Sequence, residues 1–170
     1  MVFEPPDWRD ELVSSVDDPD FGALDLWRTT STARVPRATT FTWRGELPLP
    51  DGLRANISIT GSQAEMDRVD ESYRAAYRRL VAREPDVRKR VAERIMPLAI
   101  KWAENIDIVI GNAQQLSSWL RLDAITMSPE EGEPQIAFWY EERSHDIFAG
   151  HSIRAHFNLN GDLVDAHLAG

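Results

Sequence analysis

Four histidines and no cysteine limit what this chain can catalyse. All four lie after residue 144: His145, His151, His156 and His167. His145, Asp146 and His151 are close in sequence and could form a small acid/base site at a sheet edge. His156, Asp165 and His167 offer imidazole and carboxylate donors of the kind zinc accepts. A cross-strand ion pair between His156 and Asp165 accounts for the same residues without a metal. His151 and His156 are five apart, so a regular pleat sends them to opposite faces and they share no ion. Glu141 and Glu142 are adjacent, so a strand separates them in the same way and they form no acid/base dyad. The chain carries no Gly-rich phosphate loop, no H-E-x-x-H, no G-x-S-x-G and no EF-hand loop. Without cysteine there is no thiol nucleophile, thiolate metal site or disulfide scaffold. No cofactor is expected.

The 170 residues suffice for one domain, and 42% of them are hydrophobic. Six Trp, six Phe and three Tyr exclude a wholly disordered chain. The formal charge of −9 opposes binding to nucleic acid or anionic membrane. No apolar run reaches membrane-spanning length and no signal-peptide pattern is read at the start, so a cytoplasmic protein is expected. The charge is segregated. Residues 1–20 hold seven acidic side chains against Arg9 alone, and residues 129–146 hold six against Arg143. Between them, residues 62–105 carry ten basic and eight acidic side chains. Solvated surface explains such segments, and so does a docking surface for a basic protein partner.

The elements that must position these residues follow from periodicity. Phe41, Trp43, Leu47, Leu53, Ala55, Ile57 and Ile59 share odd parity around Pro50-Asp51-Gly52, which predicts two antiparallel strands with one wet face. An earlier strand spans residues 23–28. Ser62 and Glu65 make a capping box, and Met66, Val69, Tyr73, Ala76, Tyr77 and Leu80 follow on one helical face. A second helix begins at Pro85, is lined by Val87, Val91, Ile95, Leu98 and Trp102, and contains Pro97, which predicts a kink near Glu93. A third starts at Asn112 and buries Leu116, Trp119 and Leu120. Strands at 124–128, 135–142, 151–159 and 163–168 complete the chain, the last two joined at Asn160-Gly161. That turn sets Phe157 opposite Val164, Ala155 opposite Ala166, Ile153 opposite Leu168, His156 opposite Asp165 and Arg154 opposite His167. Strands, helices and strands in that order predict a single α+β domain over 1–170, with residues 1–20 an acidic segment packed on or flanking it. The expected architecture is an antiparallel sheet with two to three helices packed on one face.

The run Phe138-Trp139-Tyr140-Glu141-Glu142, then Phe148-Ala149-Gly150-His151-Ser152-Ile153, Asn160-Gly161 and Ala169-Gly170, is distinctive. With Trp102, Asn105, Leu120, Leu122 and Ile125, it resembles the C-terminal signature of a bacterial family of unknown function. The resemblance is close from Trp102 onward and architectural over 39–103. Ser144-His145 departs from it, since the family usually has a small acidic-glycine turn there. The resemblance implies no particular activity, although related bacterial families of this size look like immunity proteins encoded beside toxins.

Two functional expectations result. One is a non-catalytic binding protein, an immunity-type inhibitor occluding a basic toxin, with Trp139, Glu131, Glu133 and Glu141 as the partner-binding residues. Parity places Trp139 on the outer sheet face beside Glu141, ringed by carboxylates. Alternatively, Phe3, Trp8 and Leu12 fold back over it. The other expectation is a small enzyme using His145, Asp146 and His151. A domain that homodimerises through an edge strand is a third possibility. His151 is expected on the inward face with Ile153, Ala155 and Phe157, as a hydrogen-bonded core histidine.

Overall fold

The computed structural model describes residues 8–31, 39–49, 52–61, 70–130 and 133–170, with backbone only for 129, 130, 133 and 134. The chain forms two compact units, Met1–Asp70 and Glu71–Gly170.

The first unit contains β1 (Trp8–Asp18), β2 (Gly22–Ser31), β3 (Thr39–Pro48) and β4 (Arg54–Gly61). Each pairs antiparallel with the next. The β3–β4 register sets Trp43 opposite Ile59 and Leu47 opposite Ala55, as the alternation requires. Leu24, Leu26, Trp43, Leu47, Ala55, Ile57 and Ile59 are buried and share one face, whereas Phe41 is half-buried and Leu53 exposed. Gly45 lies opposite both Leu24 and Ile57. A Cβ there would sit 2.5 Å from the Ala23 carbonyl oxygen and 2.8 Å from Leu24 Cδ2, so only glycine fits. The β1–β2 turn is held by Asp18, whose Oδ1 accepts from the amides of Asp20 (2.9 Å) and Phe21 (3.2 Å). β1 is a paired strand where only an acidic segment was expected, because cross-strand pairs replace an apolar pattern: Asp10 with Thr29 and Arg44, Glu11 with Arg28, and Asp25 with Ser15. Ser62, Glu65, Met66 and Val69 lie outside the described residues, as do Phe3, Pro50 and Asp51.

The second unit starts with α1 (Glu71–Val81), which buries Ala76, Tyr77 and Leu80. α2 (Glu84–Ala103) has Pro85 in its first turn and runs on through Pro97. It buries Val87, Val91, Ile95, Ala99 and Ala103, an unbroken four-residue stripe. Leu98 is exposed and Trp102 half-buried, so the expected stripe is displaced by one residue at its end, where alanines take the buried positions. After a 3-10 turn, α3 (Ala113–Trp119) is capped by Asn112, whose Oδ1 accepts from the Gln115 amide at 2.9 Å. β5 (Leu120–Glu130), β6 (Glu133–Glu142), β7 (Ser152–Phe157) and β8 (Leu163–Ala169) form an antiparallel meander. The final hairpin register holds from Ile153–Leu168 to His156–Asp165, but Phe157 faces Leu163 rather than Val164. The turn is longer than two residues because Asn158 Oδ1 accepts from the amides of Asn160 and Asp162.

The expectation of an antiparallel sheet with two to three helices packed on one face is corrected. Among the described residues strands dominate and helices are few, so the chain is not a sheet defined by a helical layer on one face; the α+β class stands. The physical reason is that cross-strand polar pairs add β1 to the first unit, where no hydrophobic period marks a strand.

Candidate functional site: an acidic cleft at the end of β6

Ile136, Phe138 and Tyr140 point inward on β6 and are fully buried. The same parity carries Glu142 inward, and its side chain is 1% exposed. A carboxylate there needs strong partners, because leaving it bare in the interior is costly. The next loop supplies them. Glu142 Oε1 accepts from the amides of Ser144 (2.7 Å) and His145 (2.9 Å), and Oε2 accepts from Ile147 N–H at 2.9 Å. Three charge-assisted bonds therefore fold residues 143–147 around one buried carboxylate.

The loop continues through left-handed residues, Asp146 (φ 54°), Ala149 (φ 49°) and Gly150 (φ 81°). Asp146 Oδ1 accepts from Gly150 N–H at 3.1 Å, and the Asp146 carbonyl accepts from Ala149 N–H at 3.1 Å. Two non-glycine residues in this region are unusual, and such backbone gathers at functional sites. The loop then delivers His151, whose amide donates to the Phe148 carbonyl at 2.9 Å. Glu141, Glu142, Asp146, Phe148, Gly150 and His151 together line a cleft of about 170 Å³. Small-molecule sites usually span ~300–1,000 Å³, so this one fits a single side chain or headgroup better than a cofactor.

His151 is half-buried at the cleft wall, with its ring edge-on to Trp102 at 5.7 Å between centroids. It precedes β7 and is less enclosed than Ile153, Ala155 and Phe157, with which it was expected to share the core. His145 does not join it: its ring lies 4.2 Å from that of Trp119, and its Nδ1 is 3.7 Å from Glu142 Oε1. Of the three residues read as an enzyme site, Asp146 and His151 line the cleft and His145 does not.

The residues expected to bind a partner are divided. Trp139 is on the outer face and half-buried. Its indole N–H donates to Thr126 Oγ1 at 3.1 Å, and the Arg154 guanidinium lies 5.0 Å from its ring centroid. Glu141 shares that face, pairs with Arg143, and also lines the cleft. Glu133 opens β6, Glu131 lies outside the described residues, and Trp8 and Leu12 are exposed on β1. The set read as a zinc site forms a different arrangement. His156 and His167 stack at 5.4 Å, with His156 Nδ1 2.8 Å from Gln135 Oε1 and His167 Nδ1 3.0 Å from Asp165 Oδ2. Asp165 pairs with His167 in its own strand, lies 4.0 Å from Arg94 of α2, and is the register partner of His156 across the hairpin. The His167 hydrogen bond, against slight burial, holds the Asp165 carboxyl below its usual range. Among the described residues no group of three or more metal-ligating side chains could hold an ion.

Two residues before Glu142 on β6, Tyr140 is buried near the Glu84–Arg88 ion pair, and Arg88 also donates to the Leu120 carbonyl at 2.9 Å. Burial first, and then the Glu84 charge, raise the Tyr140 phenol well above its ordinary pKa, so it stays protonated.

A family model described as "Uncharacterized protein conserved in bacteria (DUF2262)" matches residues 39–168. The chain belongs to that family. The matched residues include the cleft and the outer face around Trp139, while β1 and β2 precede them. No curated protein and no solved structure matches the chain. Sequence reasoning missed Glu142 as the organiser of the loop. The signal was available, since residues 136, 138, 140 and 142 share one parity and the last is a carboxylate.

Proposed function

We propose that the protein is a non-catalytic binding protein of the cytoplasm, an immunity-type inhibitor that occludes a basic bacterial toxin through its acidic surface. The observation that supports this reading is the cleft at the end of β6. Glu141, Glu142 and Asp146 line it, and no lysine or arginine does among the described residues. A concave site lined by one sign of charge concentrates field and attracts the opposite sign. Its size suits one lysine or arginine head inserted from a partner surface. Because hydrogen bonds to Glu142 fix the loop beforehand, little ordering cost falls on binding.

Asp146→Asn tests this with little disturbance, since asparagine tolerates the left-handed conformation and keeps an acceptor for Gly150. The partner to use is a basic protein that co-purifies from the native host or is encoded beside this gene. Binding should weaken about tenfold, equivalent to ~1.4 kcal/mol. Unchanged binding would remove the cleft from the interface.

A second reading is a small enzyme, favoured by one observation: Asp146 and His151 share the cleft. Substrate turnover by the purified protein, lost in His151→Ala with unchanged thermal stability, would establish it and overturn the binding-only reading.

A further inference from the structure

The first strand has features that the cleft does not explain. β1 hydrogen-bonds β2 on one side and ends the strand order, so its other side is an open edge among the described residues. Ten of its eleven residues are exposed, including Trp8, Leu12, Val13 and Val16. Its register shifts between Leu12 and Ser14, so Leu12 pairs with Trp27 whereas Val16 pairs with Leu24 on the opposite, buried face of β2. Apolar side chains thus flank the edge on both faces, and no burial of its own accounts for them. Charges on β1 that could shield the edge are drawn back across the sheet instead: Glu11 to Arg28, and Asp10 to Arg44 at 3.2 Å. The strand also precedes residues 39–168, so the shared family features do not include it.

We propose that the open edge of β1 is a strand-addition site for an extended basic segment of another protein. This rests on the binding reading above and identifies a second contact with the same basic partner. Main-chain hydrogen bonds along the edge would supply affinity, and Leu12, Val13 and Val16 would pack against alternate side chains of the added strand. Charge selects the occupant. Residues 1–20 carry seven acidic side chains against Arg9, so a second copy of this chain would bring two acid-rich strands together, whereas a basic segment is attracted.

The test uses the full chain with a labelled peptide of alternating lysine and valine, and a glutamate–valine peptide as control. Fluorescence anisotropy should show saturable binding of the lysine peptide alone. Hydrogen–deuterium exchange should slow across 8–18, with or without added protection at the cleft residues 141–151. Leu12→Ser with Val16→Ser, at positions already exposed and so harmless to folding, should weaken binding about tenfold, or ~1.4 kcal/mol. Asp17→Lys, which alters charge alone, should weaken it at low salt. Protection confined to 141–151 would overturn the β1 site and leave the binding reading standing. Absence of peptide binding would overturn it too, and the binding reading would also fall if no basic protein binds the chain. Concentration-dependent dimerisation with protection over β1 would replace the basic partner with a second copy.

Discussion

Glu142 is the residue on which the candidate site depends most. Its two oxygens accept three backbone N–H groups, from Ser144, His145 and Ile147. Glu142→Gln substitutes an amide NH₂ for one acceptor, which sets donor against donor in a buried place. We expect a stability loss of about 1–3 kcal/mol, measured by urea unfolding, with faster amide exchange at Ser144, His145 and Ile147. Unaltered exchange at those amides would show that the loop folds without the carboxylate. Asp165 makes a smaller, pH-dependent contribution. Its carboxyl lies below the ordinary aspartate value of 3.8 when folded, so the stabilisation is present above that pH and is lost as pH falls through the folded value. The side chain is 52% exposed, which screens the effect. The difference in melting temperature between wild type and Asp165→Asn should therefore shrink below pH 3.8. A difference that is constant across that range would mean that His167 does not stabilise the charged form.

At the scale of elements, close packing leaves little freedom where strands cross glycine. Gly45→Ala places a methyl group 2.5 Å from a backbone oxygen, which no rotamer change relieves. A cost of about 1–3 kcal/mol is expected, as for other overpacked sites. Thermal unfolding would reveal it, and an unchanged midpoint would show that β2 and β3 can separate freely. Much at this scale was legible in the sequence. Alternation on Phe41–Leu47 and Leu53–Ile59 reads directly as the β3–β4 ladder, and parity across Asn160-Gly161 reads as the β7–β8 register up to its bulge. β1 was not legible, because exposed residues leave no hydrophobic period and its pairing rests on side-chain ion pairs to strands far along the chain. The cleft was half legible. Asp146 and His151 were singled out by type, but the loop that brings them together depends on positive φ at Asp146 and Ala149, which no residue pattern announces.

For the whole molecule, the central claim is that acidic charge recruits a basic protein. In that proposal the net charge of −9 and its concentration in two segments would give long-range attraction, and Trp139 with the cleft would give the short-range contact. These contributions separate kinetically, since distant charge acts on association and packed anchors act on release. Trp139→Ala belongs to the second class and would also free Arg154 from its ring. The most direct measurement is the association rate of the basic partner with wild type and with the triple variant Glu131→Lys, Glu133→Lys and Glu141→Lys, at low salt and at high salt. The account predicts slower association for the variant at low salt. That deficit should close as the Debye length falls to about 3 Å at 1 M salt. Equal association rates at low salt, or a deficit that salt does not reduce, would contradict it.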